Sequence, residues 1–308
     1  MLGRLPEQLV GGGLTLDRNK AAEVIAPLAK HLGLSLEETA LGIIGIVNSN
    51  MIRAIRAVTV ERGYDPRDFA LMPFGGAGGL HAIDVAESLL MKKILIPRSP
   101  GILCAEGLIV ADLQESFVAT HRTPLDGDLA PVKSVLAELI ERAMPWFDDE
   151  GVGSISQSLM LQLDMRYIGQ NYELSVSAGD MLKSTDLPET DFLKNLFFET
   201  HERSYGHYDA EAAVEIVNIR LQAIASLPEM KSIKAKPSDA PAPIEHRNVW
   251  FDQGGAIRTP IFDRAALSPG FTHEGAAIFT QTDATTLMPP WCKMYVDDEE
   301  NLIMEITR

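Results

Sequence analysis

Ala21, Val24, Ile25, Leu28 and Leu32 recur at helical spacing behind Asp17, and Gly33 closes the pattern. Apolar residues three and four apart share one helix face, Asp caps a start and Gly a stop, so a helix is predicted over 17–33. Pro27, inside it, is expected to kink or split it. A longer pattern opens at Ser35-Leu36-Glu37-Glu38, a capping box in which hydroxyl and carboxylate each satisfy a backbone N–H. It runs through Ile43, Ile44, Val47, Met51, Ile52, Ile55 and Val58 to Gly63, predicting a helix over 35–62. Gly42 and Gly45 lie on it. An interior glycine costs ~1 kcal/mol in a helix, so the pair predicts close approach by another backbone or a ligand.

After a Pro-bearing turn at 64–68, Phe69 to Phe74 reads as a buried strand running into Gly75-Gly76-Ala77-Gly78-Gly79. A helix is predicted from Leu80 to Leu90, a strand at Ile94–Ile96 and a helix from Leu103 to Asp112. Residues 121–131 read as a polar connection. Beyond it the pattern predicts a helix over 131–147, paired strands at 159–167 and 172–177 turning at Gly169, a helix over 189–203 and a strand over 214–225. Residues 228–245 are rich in Pro, Lys, Ala and Ser and read as a linker; 246–308 reads as short strands ending with Leu302 to Ile306. Three regions follow: 1–120, 121–230 as an α+β domain, and 231–308 as linker and β-rich module.

The chain has 308 residues, 46% hydrophobic and 23% charged, which excludes wholesale disorder. Its net charge of −16 repels phosphate backbones, and no basic patch offsets it, so nucleic acid is not an expected partner. Cys104 and Cys292 lack CxxC spacing and read as reduced thiols of a cytoplasmic protein. The most apolar run, Ala40 to Val47, ends at Asn48-Ser49-Asn50, well short of the about 20 residues of a membrane span, so no membrane association is expected.

The most chemical feature is the strand–glycine–helix stretch 69–82. Four glycines in five residues let a phosphate or nucleotide approach the backbone, and a helix start offers oriented N–H groups. The same string also makes a tight strand–helix turn, and both readings stand. It lacks the Lys-Ser/Thr of a Walker loop and the third glycine of GxGxxG. His81, beside the loop, reads as a structural or a catalytic histidine; Asp84 reads as an acid in the helix's early turns. His201 and His207 lack metal-ligand spacing, and no metal site is expected.

Residues 47–113 resemble the hydantoinase A / oxoprolinase family, which includes N-methylhydantoinases, 5-oxoprolinases and the large subunits of acetone and acetophenone carboxylases. The resemblance rests on Val47-Asn48-x-x-Met51, on Arg62-Gly63-Tyr64-Asp65-Pro66-Arg67, and on Pro100-Gly101 with Ala105 and Gly107. It continues in Met165-Arg166-Tyr167-x-Gly169-Gln170, His201-x-x-x-Tyr205-Gly206-His207, Val217-Asn218-x-Arg220 and Gly275-Ala276-Ala277-Ile278, covering nearly the whole chain.

The resemblance implies an α/β fold: part of the second lobe of an actin/Hsp70/sugar-kinase-like ATPase, followed by an α+β region with a small β-rich module. Phe69 to His81 resembles the element that holds adenosine, which implies contacts from Gly75, Gly76, Ala77, Gly78 and Gly79. Asn48 and Arg53 are the candidates to face the cleft from the long helix. ATP and Mg²⁺ are the implied cofactors. The family's Asp-x-Gly-Gly-Thr phosphate loops do not occur in these residues; Gly11-Gly12-Gly13-Leu14-Thr15 is nearest and lacks the preceding acid. The expectation is the C-terminal half, or a subunit, of an ATP-dependent cyclic-amide hydrolase or ketone carboxylase, inactive alone. The implied partners are a hydantoinase A-type N-terminal half or full-length subunit, a hydantoinase B-type subunit, or further copies of this chain. The alternatives are a non-catalytic assembly or regulatory subunit, or a truncated family member.

Overall fold

A computed structural model describes residues 1–150, 156–182, 186–227 and 241–308. The chain divides into two compact units, Met1–Gly107 with Lys231–Arg308, and Leu108–Met230.

The first unit opens with a short antiparallel hairpin, β1 (Gln8–Leu9) and β2 (Leu14–Thr15). Helix α1 (Arg18–Leu32) is capped by Asp17, whose carboxylate accepts from the Lys20 N–H at 3.0 Å, and stops at Gly33 in the left-handed region. The expected split at Pro27 does not occur. Pro27 and Glu23, the residue whose carbonyl loses its partner, both lie on the exposed side, where water serves instead. In α2 (Leu36–Val58) the Ser35–Glu38 capping box closes at 3.1 and 2.8 Å.

The close approach expected at Gly42 and Gly45 is absent among the described residues: a Cβ at either would meet none of them within 4 Å. Ala40, Ile44, Asn48, Ile52 and Ile55 turn inward, whereas Ile43, Ile46, Val47, Met51 and Val58 are exposed. One stretch among the described residues, Leu36–Arg62, is long and apolar enough to cross a membrane, against the expectation drawn from unbroken apolar runs. Asn48–Asn50 interrupt the run without making the whole stretch polar.

The expected buried strand at 69–74 is reduced to one residue. Leu71 bridges Ile94 in parallel fashion, while Phe69, Met72 and Phe74 are exposed. Pro73 lacks the N–H that a continuing ladder needs. Helix α3 (Gly78–Ser88), β3 (Lys93–Ile96) and α4 (Leu103–Val110) follow.

The second unit is an antiparallel sheet covered by two helices. Its elements are β4 (Leu113–Pro124), α5 (Ala130–Asp149), β5 (Ser156–Tyr167), β6 (Leu174–Asp180), α6 (Thr190–Tyr205) and β7 (Val214–Ser226), with sheet order β4-β7-β5-β6. Leu159, Leu161, Leu163 and Met165 alternate into the core, where Leu136 and Leu139 of α5 and Phe197 of α6 meet them. Sequence reading missed β4. Its polar residues pair along β7, and a bulge between Thr120 and Thr123 carries it into the segment read as a connection.

The chain then returns to the first unit. Residues 228–240, most of the expected linker, lie outside the described residues. Strands β8 (Glu245–Trp250), β9 (Ala256–Asp263), β11 (Ala277–Thr280) and β12 (Thr285–Met288) form a sheet in the order β12-β11-β9-β8. Strands β10 (Thr272–Glu274), β13 (Cys292–Val296) and β14 (Leu302–Ile306) form another, which β3 completes in the order β10-β13-β14-β3. The tail is therefore not the separate module expected from its composition. Leu302 sits opposite Ile96 and Met304 opposite Ile94, and all four are buried with Ala86 of α3 and with Leu89, the residue that ends it. A strand as short as β3 holds only because β14 supplies its edge.

Candidate functional site

The first five residues are stitched to β8. The Trp250 N–H donates to the Leu2 carbonyl at 3.0 Å, and Arg247 Nη1 donates to the Leu5 carbonyl at 2.6 Å. Gly3 sits at φ +71, where a Cβ would collide with the Asn248 carbonyl. Arg4 is 7% exposed; its Nε and Nη2 donate to the carbonyls of Trp250 and Phe251, each at 2.9 Å. Its Nη1 is buried with no hydrogen-bond partner among the described residues.

Asn48 projects from α2 onto α3. Its Nδ2 donates to Asp84 Oδ2 at 3.0 Å, and its Oδ1 lies 2.7 Å from His81 Nδ1. Burial pushes the Asp84 carboxyl above its ordinary value, against the opposing pull of Arg4 and of the Asn48 hydrogen bond. Burial pushes His81 below its ordinary value, with Asp84 opposing and Arg4 assisting. Two cavities meet at these residues. The larger, about 850 Å³, is bordered by residues 1–8 and by α1, α2 and His81; the smaller, about 300 Å³, by Asn48, Asp84 and Phe251. Arg4 borders both.

The glycine loop feeds directly into α3. Gly75 adopts φ +80 with open space beside it, and its N–H donates to the Pro100 carbonyl at 2.6 Å. Gly76 and Gly79 serve packing: a Cβ would stand 2.8 Å from the Asp283 carbonyl at the first and 2.7 Å from Thr286 Oγ1 at the second. Gly78 lies against Pro73. Gly76 and Ala77 remain exposed, and no side chain caps α3. Asn48 thus reaches the helix that the loop begins, at its first and second turns. Arg53 is exposed and pairs with Asn50.

These residues fit the adenosine end of a nucleotide: an open, left-handed glycine followed by two exposed small residues at an uncapped helix start. They offer nothing for Mg²⁺. No group of three or more His, Cys, Asp or Glu that could hold a metal occurs among the described residues.

The remaining motifs serve the second unit's framework. Arg166 holds Glu215 at 2.8 Å, and Asp164 accepts from Arg220 at 2.7 Å and from Asn218 at 2.9 Å. His201 is buried with its Nδ1 2.6 Å from the His207 carbonyl.

The protein is of the α/β class, and its first unit carries the glycine loop and the interhelical polar cluster. Family models for hydantoinase/oxoprolinase and for the hydantoinase/oxoprolinase C-terminal domain match residues 1–117 and 127–305. The chain belongs to the hydantoinase/oxoprolinase family. It is 39% identical over 301 residues to an uncharacterized protein of Methanocaldococcus jannaschii, covering 96% of this chain and 42% of that one. It is 34% identical over 300 residues to caprolactamase subunit alpha of Pseudomonas jessenii, covering 94% and 42%. The crystal structure of the ATP-dependent caprolactamase from Pseudomonas jessenii superposes with a TM-score of 0.82 at 32% identity, covering 100% of this chain and 46% of that one. The chain thus spans less than half the length of these relatives.

Proposed function

We propose that these residues are the C-terminal half, or a subunit, of an ATP-dependent cyclic-amide hydrolase whose phosphate loops lie outside them. The observation that carries this reading is the likeness along the whole chain to an ATP-dependent caprolactamase, at 32% identity. In this reading the first unit is part of an actin-like second lobe. Gly75, Gly76 and Ala77 lie along the adenosine, Gly78 and Gly79 set the start of α3, and Asn48 fixes α2 against that helix. ATP, when bound, supplies the activation that makes a stable amide carbon open to attack. The exposed side of α2, with Ile43, Val47, Met51 and Val58, docks on a hydantoinase A-type or B-type subunit. The protein works in the cytoplasm.

Co-expression with a hydantoinase A-type N-terminal half tests the reading. The purified pair is expected to open caprolactam or a related lactam only when Mg-ATP is added. A stable pair that binds ATP yet opens no lactam, hydantoin or oxoproline would favour the assembly-subunit alternative.

A further inference from the structure

The polar cluster between α2 and α3 fixes which nitrogen of His81 carries the proton. Asp84, when ionised, only accepts hydrogen bonds, so the Asn48 amide must turn its Nδ2 toward it, as the 3.0 Å contact shows. The Asn48 oxygen then faces His81 Nδ1 at 2.7 Å, and an amide oxygen only accepts. Nδ1 must therefore be the protonated nitrogen, and Nε2 is left with a lone pair.

Arg4 favours the ionised form of Asp84, against burial, which favours the neutral one. Its guanidinium is buried and pinned by two carbonyls, and its Nη1 has no hydrogen-bond partner among the described residues. A protonated Asp84 keeps an acceptor oxygen, so the Asn48 amide can hold the same orientation in either state. Other charged groups near the relay are Glu87, one turn beyond Asp84, Glu7, Asp17, Arg18, Glu245 and Arg247 at the larger cavity's wall, and Asp252 at the smaller one's. Arg247 is committed to the Leu5 carbonyl and to Glu245.

The Nδ1 edge of the ring meets Asn48, which lines the smaller cavity, and His81 itself lines the larger. That larger space is walled chiefly by apolar side chains, among them Leu2, Leu5, Ile25, Ile43 and Leu80, and none of Gly75–Gly79 borders it. We propose that the Asp84–Asn48–His81 relay presents His81 Nε2 as a hydrogen-bond acceptor to a ligand in this cavity, a small, largely apolar molecule carrying one N–H or O–H donor. A chiefly apolar pocket in which a few polar groups are placed selects for a ligand that is mostly apolar and polar at one point; Arg4, Arg18 and Arg247 at the wall carry only donors, which leaves His81 Nε2 as the neutral acceptor of the relay. The site rests on the relay alone and is independent of whether the glycine loop binds adenosine.

The test uses the 308-residue chain with ¹⁵N-labelled histidine. Its imidazole spectrum at pH 7.5 is expected to show His81 as the Nδ1–H tautomer; an Nε2–H tautomer overturns the relay. Indole, with an N–H donor on an apolar body, is then titrated against 1-methylindole, which lacks the donor. Indole is expected to bind about five-fold more tightly, the worth of one net hydrogen bond, and to shift the Nε2 resonance. In His81→Gln the preference for indole is expected to change. Equal affinities in the wild-type chain, or binding of neither probe, overturn the ligand assignment, whether or not the variant folds.

Discussion

Gly79 lies so close to Thr286 that a Cβ would stand 2.7 Å from its Oγ1 and 2.8 Å from the Thr285 carbonyl. The neighbouring Gly76 carbonyl accepts from the Thr285 N–H at 3.2 Å, so the glycine loop is seated on β12. Gly79→Ala is expected to cost ~1–3 kcal/mol through overpacking. Gly75→Ala has open space but must hold φ +80, and is expected to cost ~1–2 kcal/mol through backbone strain. Urea unfolding measures both. A Gly79→Ala protein as stable as wild type would show that the loop does not depend on this seat.

The carboxylate of Glu215 is a second point of sensitivity. Its side chain is 7% exposed, with Arg166 Nε at 2.8 Å and Arg122 Nη2 at 3.1 Å. Burial pushes it up, but the hydrogen bonds from Arg166 and then Arg122 outweigh burial and hold it below its ordinary 4.5. A depressed carboxylate stabilises the fold above the unfolded value, and that stabilisation is lost as pH falls through the folded one. Arg166→Ala, which leaves the buried Glu215 only its exposed partner Arg122, is expected to cost about 2 kcal/mol and to move the acid limb of unfolding to higher pH. Arg122 is mostly exposed, and Arg122→Ala is expected to cost at most about 1 kcal/mol. Equal losses in the two variants would contradict this division.

The two thiols differ in reactivity. Cys104 is exposed; Cys292 is buried, and burial, with Glu87 adding, pushes its thiol up to about 12. A charged thiol reagent at pH 8 is expected to modify one cysteine of the native chain and both after unfolding in guanidinium. Rapid native modification of both would mean that the sheet around Cys292 opens readily.

The 308-residue chain by itself is expected to hydrolyse no ATP above a no-protein control, because no Gly-Gly-Thr phosphate loop occurs in it. It is also expected to self-associate through α2. Met51→Glu, at an exposed position, is expected to reduce association in light scattering while changing stability by less than about 0.5 kcal/mol. A monomer at high concentration that recovers no hydantoinase-type subunit would count against α2 as a docking face.

Local chemistry made much of the fold legible. The Ser35–Glu38 box and the Asp17 and Gly33 caps are short-range interactions, and the helices began and ended beside them. The strand at 69–74 was misread because Leu71, Met72 and Phe74 look alike in sequence; only pairing with Ile94 separates the one that is held from the two that are exposed. The candidate site was legible in part. Asn48, His81 and the glycines stood out singly, but Arg4 did not. Its partners lie 246 and 247 residues away, and nothing in Leu2-Gly3-Arg4-Leu5 announces a buried guanidinium. The packing role of Gly76 and Gly79 likewise depends on residues 283–286, beyond any local pattern.

The return of the chain to its first unit has a consequence for biosynthesis. The second unit is one continuous stretch and holds all the partners of its own sheet as soon as β7 leaves the ribosome. The first unit must wait. Glu87 on α3 receives the Trp291 indole at 2.5 Å from 204 residues downstream, and β3 has no sheet until β14 arrives. Loop closure over such a span is slow. During translation α2, α3 and β3 therefore remain without their sheets while the later unit has already folded, which makes these earlier elements the last to be secured and the ones most in need of a chaperone.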